Sequence, residues 1–182
     1  MSTKYSFTLE SGDPRRSLPH KVIIGCQGTE TTRHVLLKLF GFLLFQRDRL
    51  FIEPRLDDDN IPFRPDIVEL DYQLRPVLWV ECGECSVQKL DKLAVKAPEA
   101  QIWVIKRAPT EVEELMQGMR KGRLRTNRYN LMALDPLMFD EVRDGLETRN
   151  TLFWVKGATD PPLMQFDFNG LWFEMECRTF TF

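Results

Sequence analysis

The chain has 182 residues, a formal net charge of −2 and a pI of about 5.8. Its length and its 43% hydrophobic and 29% charged content fit a globular protein, so we expect residues 1–182 to form a single domain. The slightly acidic balance excludes an overall basic field, and any nucleic-acid binding must therefore rest on local charge.

Nothing in the sequence predicts export or membrane insertion. The first residues turn polar again by Glu10, which is not typical of a secretory leader. The longest apolar run, Val35–Phe45, contains Lys38 and is much shorter than the ~20 residues of a membrane-spanning helix. The four cysteines do not form a disulfide framework pattern. We therefore predict a cytoplasmic protein without a membrane partner.

The N-terminal part predicts a hairpin followed by a buried helix. The β-type runs Tyr5–Glu10 and Lys21–Ile24 are separated by turn-forming residues, so we expect them to pair. Thr29 is expected to cap the next helix, in which Val35–Phe45 is apolar on nearly all sides. This helix is predicted to be central and covered, and the later polar run Asp57–Asn60 to be a solvated loop.

The middle of the chain predicts a βαβ unit. The runs Ile67–Asp71 and Val77–Cys82 fit a hairpin, and the helix Val87–Ala97 carries its apolar residues on one side. The apolar run Gln101–Ile105 follows this helix. A strand, a helix and a second strand in this order indicate a parallel crossover.

The C-terminal part alternates between helix and strand signals and ends in β-type sequence. The capping pattern Thr110–Glu113 predicts a helix to about Met119, and Asp135-Pro136 predicts another to about Glu147. Asn169-Gly170 is typical of a two-residue hairpin turn. The predicted strands of this part are Tyr129–Leu134, Thr151–Lys156, Leu163–Phe168 and Leu171–Phe182. The predicted fold class is α/β.

Three carboxylates stand at the ends of predicted elements: Glu30 before the buried helix, Asp66 before one strand and Glu81 at the end of the next. Because Trp79 and Glu81 share one face of their strand, the Glu81 carboxylate is expected to be half-buried in an apolar series. A cation is a natural partner for such a group. Each acid alone also has an ordinary structural explanation, namely a turn, a helix dipole or an ion pair.

Four short motifs occur in an informative order. They are Gly28-Thr29-Glu30-Thr31, Pro65-Asp66, Trp79-Val80-Glu81-Cys82-Gly83 and Lys89-Leu90-Asp91-Lys92. Their order and spacing resemble the YaeQ-like family of small bacterial proteins, within the PD-(D/E)XK nuclease superfamily. The resemblance implies a restriction-endonuclease-like fold, in which helices flank a mixed central sheet and the C-terminal strands are antiparallel.

The same resemblance implies a metal-dependent nuclease site. Asp66 and Glu81 would bind Mg²⁺ or Mn²⁺, with the Cys82 carbonyl as a possible third oxygen and Glu30 as an outer or second-metal carboxylate. The implied reaction is phosphodiester hydrolysis, in which the ion polarises a phosphate oxygen and activates water. The alternative is a catalytically inactive protein of the same fold that serves as an interaction module for a protein or nucleic acid.

The superfamily places a catalytic lysine two residues after the second acid, where this chain has Gly83. Lys89 and Lys92 in the following helix are the candidates to replace it. The resemblance favours Lys92, whereas the helical phase favours Lys89, because Lys89 borders the apolar side and Lys92 lies nearly opposite. We rank Lys92 first. Both lysines are also explained, with Lys96, as a solvated helix face.

A basic segment interrupts the mainly acidic chain. Its cations are Arg120, Lys121, Arg123, Arg125 and Arg128. Such a segment fits the phosphates of DNA or RNA without reading bases, although basic runs are also common on solvated surfaces. We expect this segment to flank the carboxylates.

The Cys82-x-x-Cys85 pair invites a zinc or redox interpretation, which makes a metabolic or redox enzyme a third hypothesis. A structural zinc site needs four ligands, and Cys26, Cys177 and the two histidines show no paired spacing. His34 is interpreted as a structural residue and is left out of the predicted site.

Overall fold

A computed structural model describes residues 3–56 and 60–182, and within these ranges the chain forms four helices and eleven strands. The helices are α1 (Thr32–Phe45), α2 (Val87–Lys96), α3 (Pro109–Lys121) and α4 (Pro136–Asp144). The strands are β1 (Thr3–Ser11), β2 (Lys21–Cys26), β3 (Leu50–Ile52), β4 (Ile67–Leu70), β5 (Pro76–Cys82), β6 (Gln101–Lys106), β7 (Tyr129–Ala133), β8 (Arg149–Thr159), β9 (Pro162–Phe168), β10 (Leu171–Glu176) and β11 (Arg178–Thr181). The residues 57–59 of the predicted polar loop lie outside the described ranges.

The strands form two mixed sheets. The first has five strands in the order β10-β9-β8-β1-β2, and the second has six in the order β11-β7-β6-β5-β4-β3. The parallel pairs are β1 with β8 in the first sheet, and β5 with β6 and β6 with β7 in the second. The predicted α/β class is confirmed. The expectation of a single central sheet is not met, because β1 pairs with the distant strand β8, for example Ser6 with Arg149, and so forms a separate five-stranded sheet.

Helix α1 lies between the two sheets. It contacts β2 and β8 on one side and β3 to β6 on the other, and all its residues from Val35 to Phe45 are buried. The prediction of a central, covered helix is confirmed. The predicted cap at Thr29 is wrong: the Glu30 N–H bonds to the Gln27 carbonyl in a turn, and the N-cap residue is Thr31, whose side chain makes no capping hydrogen bond.

Helices α2 and α3 cover the other face of the second sheet. Leu90 and Leu93 of α2 and Val112 of α3 share one buried cluster with Trp79 of the sheet. The predicted parallel unit from β5 through α2 to β6 is confirmed. The predicted cap at Thr110 is wrong, because Pro109 already occupies the first turn of α3 and the cap residue, Ala108, has no side-chain acceptor.

The last third of the chain follows its local signals. The Asp135 side chain accepts hydrogen bonds from the N–H groups of Leu137 and Met138, which confirms it as the cap of α4. Asn169 and Gly170 both have positive φ, 52° and 85°, as a tight hairpin turn requires, and β9 pairs antiparallel with β10. Strand β11 then leaves this sheet and pairs with β7 of the other. No helix of the described ranges is long and apolar enough to cross a membrane.

Candidate functional site

Asp66 and Glu81 lie at the same edge of the second sheet. Asp66 immediately precedes β4, Glu81 is near the end of β5, and the pairing of Ile67 with Val80 makes the two acids neighbours across the strands. Asp66 Oδ2 accepts a hydrogen bond of 2.7 Å from the backbone N–H of Cys82. Antiparallel strand pairing therefore brings together the two carboxylates that the sequence singles out.

The Glu81 carboxylate is more deeply buried than expected. The residue is only 2% exposed, and its carboxylate lies against the side chains of Trp79 and Lys89. Glu81 Oε1 accepts a hydrogen bond of 2.7 Å from Trp79 Nε1, and Oε2 lies 2.6 Å from the Lys89 Nζ. Burial raises the pKa of Glu81 above its ordinary value, although the Lys89 charge opposes the shift. The Lys89 ammonium is therefore the counter-charge that keeps this carboxylate in the interior.

The structure distinguishes the two candidate lysines. Lys89 contacts Glu81, whereas Lys92 is exposed on α2, so the helical phase was a better guide to position than the resemblance. Gly83 has a φ of +83°, and a Cβ there would lie 3.3 Å from a methyl group of Leu37. A lysine at position 83 would therefore be strained, and the ammonium comes from α2 instead.

Further charged groups extend the site along α1. Lys38 Nζ is fully buried and donates to Glu30 Oε1 at 3.0 Å and to Glu53 Oε1 at 2.9 Å. His34 Nδ1 lies 2.9 Å from Glu30 Oε1, and His34 Nε2 lies 3.1 Å from Asp66 Oδ1. We call this group of seven residues the carboxylate cluster: Glu30, His34, Lys38, Glu53, Asp66, Glu81 and Lys89.

The neighbours of Glu30, His34 and Lys38 favour the charged form of each side chain. Burial by itself lowers the pKa of His34, but the hydrogen bond to Asp66 and the charges of Asp66 and Glu30 outweigh it, so this pKa is raised. Burial likewise opposes the Lys38 charge, and the hydrogen bonds to Glu53 and Glu30 reverse that effect and raise the Lys38 pKa. Burial raises the Glu30 pKa less than the Gln27 N–H, Lys38 and His34 lower it, so that pKa is depressed.

Sequence reasoning missed three members of the carboxylate cluster. These residues are His34, Lys38 and Glu53. A lysine inside an otherwise apolar helix is itself a signal, because buried charges are almost always paired. Glu53 carries no comparable signal, since only the fold brings the end of β3 to the side of α1.

A cavity of about 650 Å³ opens beside the cluster. Glu30 and His34 form part of its wall, together with Arg33, Gly83 and Arg143. A second cavity of about 340 Å³ adjoins it and shares Arg33 and Gly83. Both lie near the carboxyl end of β5, the sheet edge at which α/β proteins commonly bind ligands. Solvent therefore reaches the cluster from the side of His34.

The cluster matches a metal site in the type of its donors. Asp66 and Glu81 offer the carboxylate oxygens that Mg²⁺ prefers. Each of their four oxygens already faces a protein donor, namely His34, the Cys82 N–H, Trp79 or Lys89. Over residues 3–56 and 60–182, no three His, Cys, Asp or Glu groups are arranged to hold one ion. An ion would therefore compete with His34 or Lys89 for these oxygens.

The basic segment connects α3 to β7, and its first half lies near the start of α2, where a Cβ at Gly122 would be 2.8 Å from the Val87 side chain. It leads into the start of β7, and the Arg128 guanidinium donates to the carbonyls of Ala97, Pro98 and Ala100, just before β6. Because β5, β6 and β7 are parallel, these strand starts are remote from Glu81 at the end of β5. The segment therefore runs from the start of α2, which follows β5, to the starts of β6 and β7, and the expectation that it flanks the carboxylates stays a prediction. Its other four cations, Arg120, Lys121, Arg123 and Arg125, are exposed.

The cysteine pair has the properties of structural thiols. Cys82 is fully buried, and burial raises its pKa well above the ordinary value; burial also raises the Cys85 pKa to about 12. Reactive cysteines have the opposite property, a lowered pKa. Both thiols therefore stay protonated at neutral pH, which gives the redox hypothesis no support.

Comparisons with known proteins agree with the sequence motifs. A family model described as YaeQ protein matches residues 1–155. The crystal structure of the YaeQ protein from Xanthomonas axonopodis pv. citri is similar with a TM-score of 0.70 and 19% identity, over 98% of each chain. That of the YaeQ protein from Pseudomonas syringae has a TM-score of 0.73 and 13% identity, over 100% of this chain and 96% of the other. A comparison with curated proteins found no match.

Proposed function

The chain belongs to the YaeQ family, and we propose that it is a metal-dependent phosphodiesterase of the PD-(D/E)XK type. The observation that carries this proposal is the meeting of Asp66, Glu81 and the Lys89 ammonium at one sheet edge. The mixed second sheet, with α1 on one face and α2 and α3 on the other, supports a restriction-endonuclease-like arrangement.

Each residue of the site has a role in this proposal. Asp66 and Glu81 would hold Mg²⁺ or Mn²⁺, with the Cys82 carbonyl as a third oxygen and Glu30 farther out. The ion would polarise a phosphate oxygen and lower the pKa of the attacking water. Lys89 would stabilise the negative charge that develops on the phosphoryl oxygens.

The expected turnover is weak. Lys89 reaches the site from a helix, on a longer and more flexible path than a lysine on the strand itself, and transition-state stabilisation depends on groups held in place beforehand. The carboxylates also exchange protein donors for the ion when it binds. Both effects reduce the rate without changing the type of reaction.

The proposed partner is DNA or RNA. The exposed cations Arg120, Lys121, Arg123 and Arg125 would contact the phosphate backbone, while Arg128 would support the loop from within. Gly122, between two of these cations, lies against Val87 at the start of α2, two residues before Lys89, which supports a nucleic acid that reaches from the segment toward the site. Binding there would be electrostatic and independent of base sequence.

A non-catalytic module of the same fold is the second candidate. It is favoured by one observation: the oxygens of Asp66 and Glu81 already have donors from the protein. A satisfied set of buried charges needs no ion for stability. In this case the cluster would only tie α1 to the sheet, and the surface would bind a protein or a nucleic acid.

Hydrolysis assays with variants test the proposal. With Mg²⁺ or Mn²⁺ the protein should cleave DNA or RNA slowly, and Asp66→Asn or Glu81→Gln should abolish cleavage, because each removes one carboxylate charge at nearly constant shape. Lys89→Ala should lose turnover but keep metal binding, while the matched change Lys92→Ala on the exposed side of α2 should have little effect. Cleavage that survives both carboxylate changes contradicts the mechanism, and inactivity without Mn²⁺ binding favours the non-catalytic module.

A further inference from the structure

His34 has a carboxylate at each ring nitrogen. Glu30 Oε1 lies 2.9 Å from Nδ1, and Asp66 Oδ1 lies 3.1 Å from Nε2. A carboxylate behind one ring nitrogen favours the proton there and leaves the other nitrogen free to be a ligand, which is the common arrangement around metal-binding histidines. Glu30 stands in that position, and Lys38 holds Glu30 by a hydrogen bond of 3.0 Å.

The distance between His34 Nε2 and Asp66 Oδ1 suits two ligands of one ion. Ligands about 2.1 Å from a metal and at a right angle to each other are about 3.0 Å apart. The observed distance is 3.1 Å, in a hydrogen bond that the ion would replace. Asp66 is also oriented from behind, because its Oδ2 accepts the Cys82 N–H. Both groups therefore have the outer hydrogen-bonding or ionic partners that metal ligands need.

Exposure to solvent favours His34 over Glu81 as the side chain that binds an ion together with Asp66. The side chains of His34 and Asp66 are 24% and 15% exposed, and His34 lines the larger cavity. The Glu81 side chain is 2% exposed, beneath Lys89 and Trp79. A hydrated ion in the cavity therefore reaches His34, and Asp66 lies 3.1 Å from the His34 Nε2 atom.

We propose that His34 Nε2 is a metal ligand beside Asp66, with Glu30 orienting the ring, and that the site therefore prefers a first-row transition-metal dication to Mg²⁺. Imidazole nitrogen suits such ions, whereas Mg²⁺ takes oxygen ligands. Water fills the remaining coordination positions, and the Nε2 proton passes to solvent on binding. This inference rests on the proposed function, since it names the ion and a further ligand of the same site.

Pulsed electron paramagnetic resonance of bound Mn²⁺ tests the ligand directly. Electron spin echo envelope modulation, recorded with and without nitrogen isotope labelling, detects an imidazole nitrogen bound to the ion. We expect this coupling in the wild type and in His20→Gln, the matched control at the exposed second histidine of the chain. It should vanish in His34→Gln, together with a loss of about tenfold or more in Mn²⁺ affinity. Glu30→Gln should weaken binding and keep the coupling.

Several results would overturn the inference. They are a wild type that binds no Mn²⁺, bound Mn²⁺ without nitrogen coupling, coupling that persists in His34→Gln, and Mg²⁺ bound as tightly as Mn²⁺. The wild-type spectrum by itself shows whether a nitrogen ligand is bound to Mn²⁺, even if a variant fails to fold. Turnover measured on the same samples separates the two proposals. Hydrolysis without nitrogen coupling supports the proposed reaction and refutes His34 as a ligand. Nitrogen coupling without hydrolysis supports His34 as a ligand and refutes the proposed reaction.

Discussion

The carboxylate cluster and the basic segment differ in whether their charged side chains are paired and buried. In the cluster, every ammonium or imidazole faces a carboxylate within 3.1 Å, and Lys38 and Glu81 are buried. In the basic segment, Arg123 and Arg125 are exposed, and Arg128 alone is tied to backbone carbonyls. The first region is built by the fold from five separate elements or loops, and the second is one continuous stretch of chain.

This difference decides what each region is able to do. Paired charges in a poorly solvated site have fixed positions, which is the condition for binding an ion or for catalysis. The charges of exposed cations on a loop are screened by salt, and their side chains can change conformation. Such cations suit a weak, salt-dependent contact with phosphates. Charge changes should therefore alter stability strongly in the carboxylate cluster and hardly at all in the basic segment.

The largest effect is expected for Lys38→Met. The change removes the ammonium between Glu30 and Glu53, whose side chains are 15% and 16% exposed, and so deprives two poorly solvated carboxylates of the counter-charge they share. The free energy of unfolding should fall by about 3 kcal/mol. Urea unfolding measures this loss. The matched change Lys92→Met, on the exposed side of α2, should stay within about 0.5 kcal/mol of the wild type.

Neutralising Glu30 and Glu53 as well tests whether the loss of stability comes from their uncompensated charges. The triple variant Lys38→Met, Glu30→Gln, Glu53→Gln should recover part of the lost stability, because it leaves no uncompensated charge. If Lys38→Met is no more harmful than Lys92→Met, the buried ammonium is not what holds the cluster together.

A smaller effect, visible in its pH dependence, is expected for His34→Gln. The His34 pKa in the folded chain is raised above its ordinary value of 6.5. The stability from this proton is therefore fully present below pH 6.5 and is lost as the pH rises through the folded pKa. Urea unfolding on both sides of this pH, with metal removed, should show a steeper loss for the wild type than for His34→Gln. His20→Gln should follow the wild type, and equal slopes for all three chains would contradict the assignment.

The smallest effect on the fold is expected for the pair Arg123→Ala and Arg125→Ala. Both side chains are exposed, so stability should not change measurably. Affinity for DNA or RNA should weaken about equally for all base sequences, and the salt dependence should flatten by roughly one unit per lost phosphate contact. Affinity measured at several salt concentrations tests this. Unchanged affinity and slope would remove the basic segment from the binding surface.

Local features of the fold were predictable because short-range chemistry decides them. The Asn169-Gly170 turn, the Asp135 cap and the covered helix α1 each follow from residues within a few positions of one another. The two wrong caps show the limit of such reasoning. At Thr29 and Thr110 a suitable side chain was present, but the backbone began its helix at a different residue.

The sequence predicted the position of candidate site residues only where it also predicted the pairing of their strands. Once Ile67 pairs with Val80, Asp66 and Glu81 must be neighbours, and the hairpin pattern of the sequence already indicates that pairing. The choice between Lys89 and Lys92 depended on helical phase, which gave the observed neighbour of Glu81, while the ranking from family resemblance gave the exposed residue. Whether either lysine takes part in catalysis stays a prediction.

The sequence by itself determined the class of the fold, the elements around the site and the family, since periodicity, turn residues and short motifs are all local properties. Only the tertiary structure decided that Glu53, Lys38 and His34 join the carboxylates and that Arg128 binds the backbone before β6. The physical reason is that these contacts link residues of separate elements. Such contacts depend on how α1 is packed between two sheets, one of which requires β1 to pair with β8 across most of the chain.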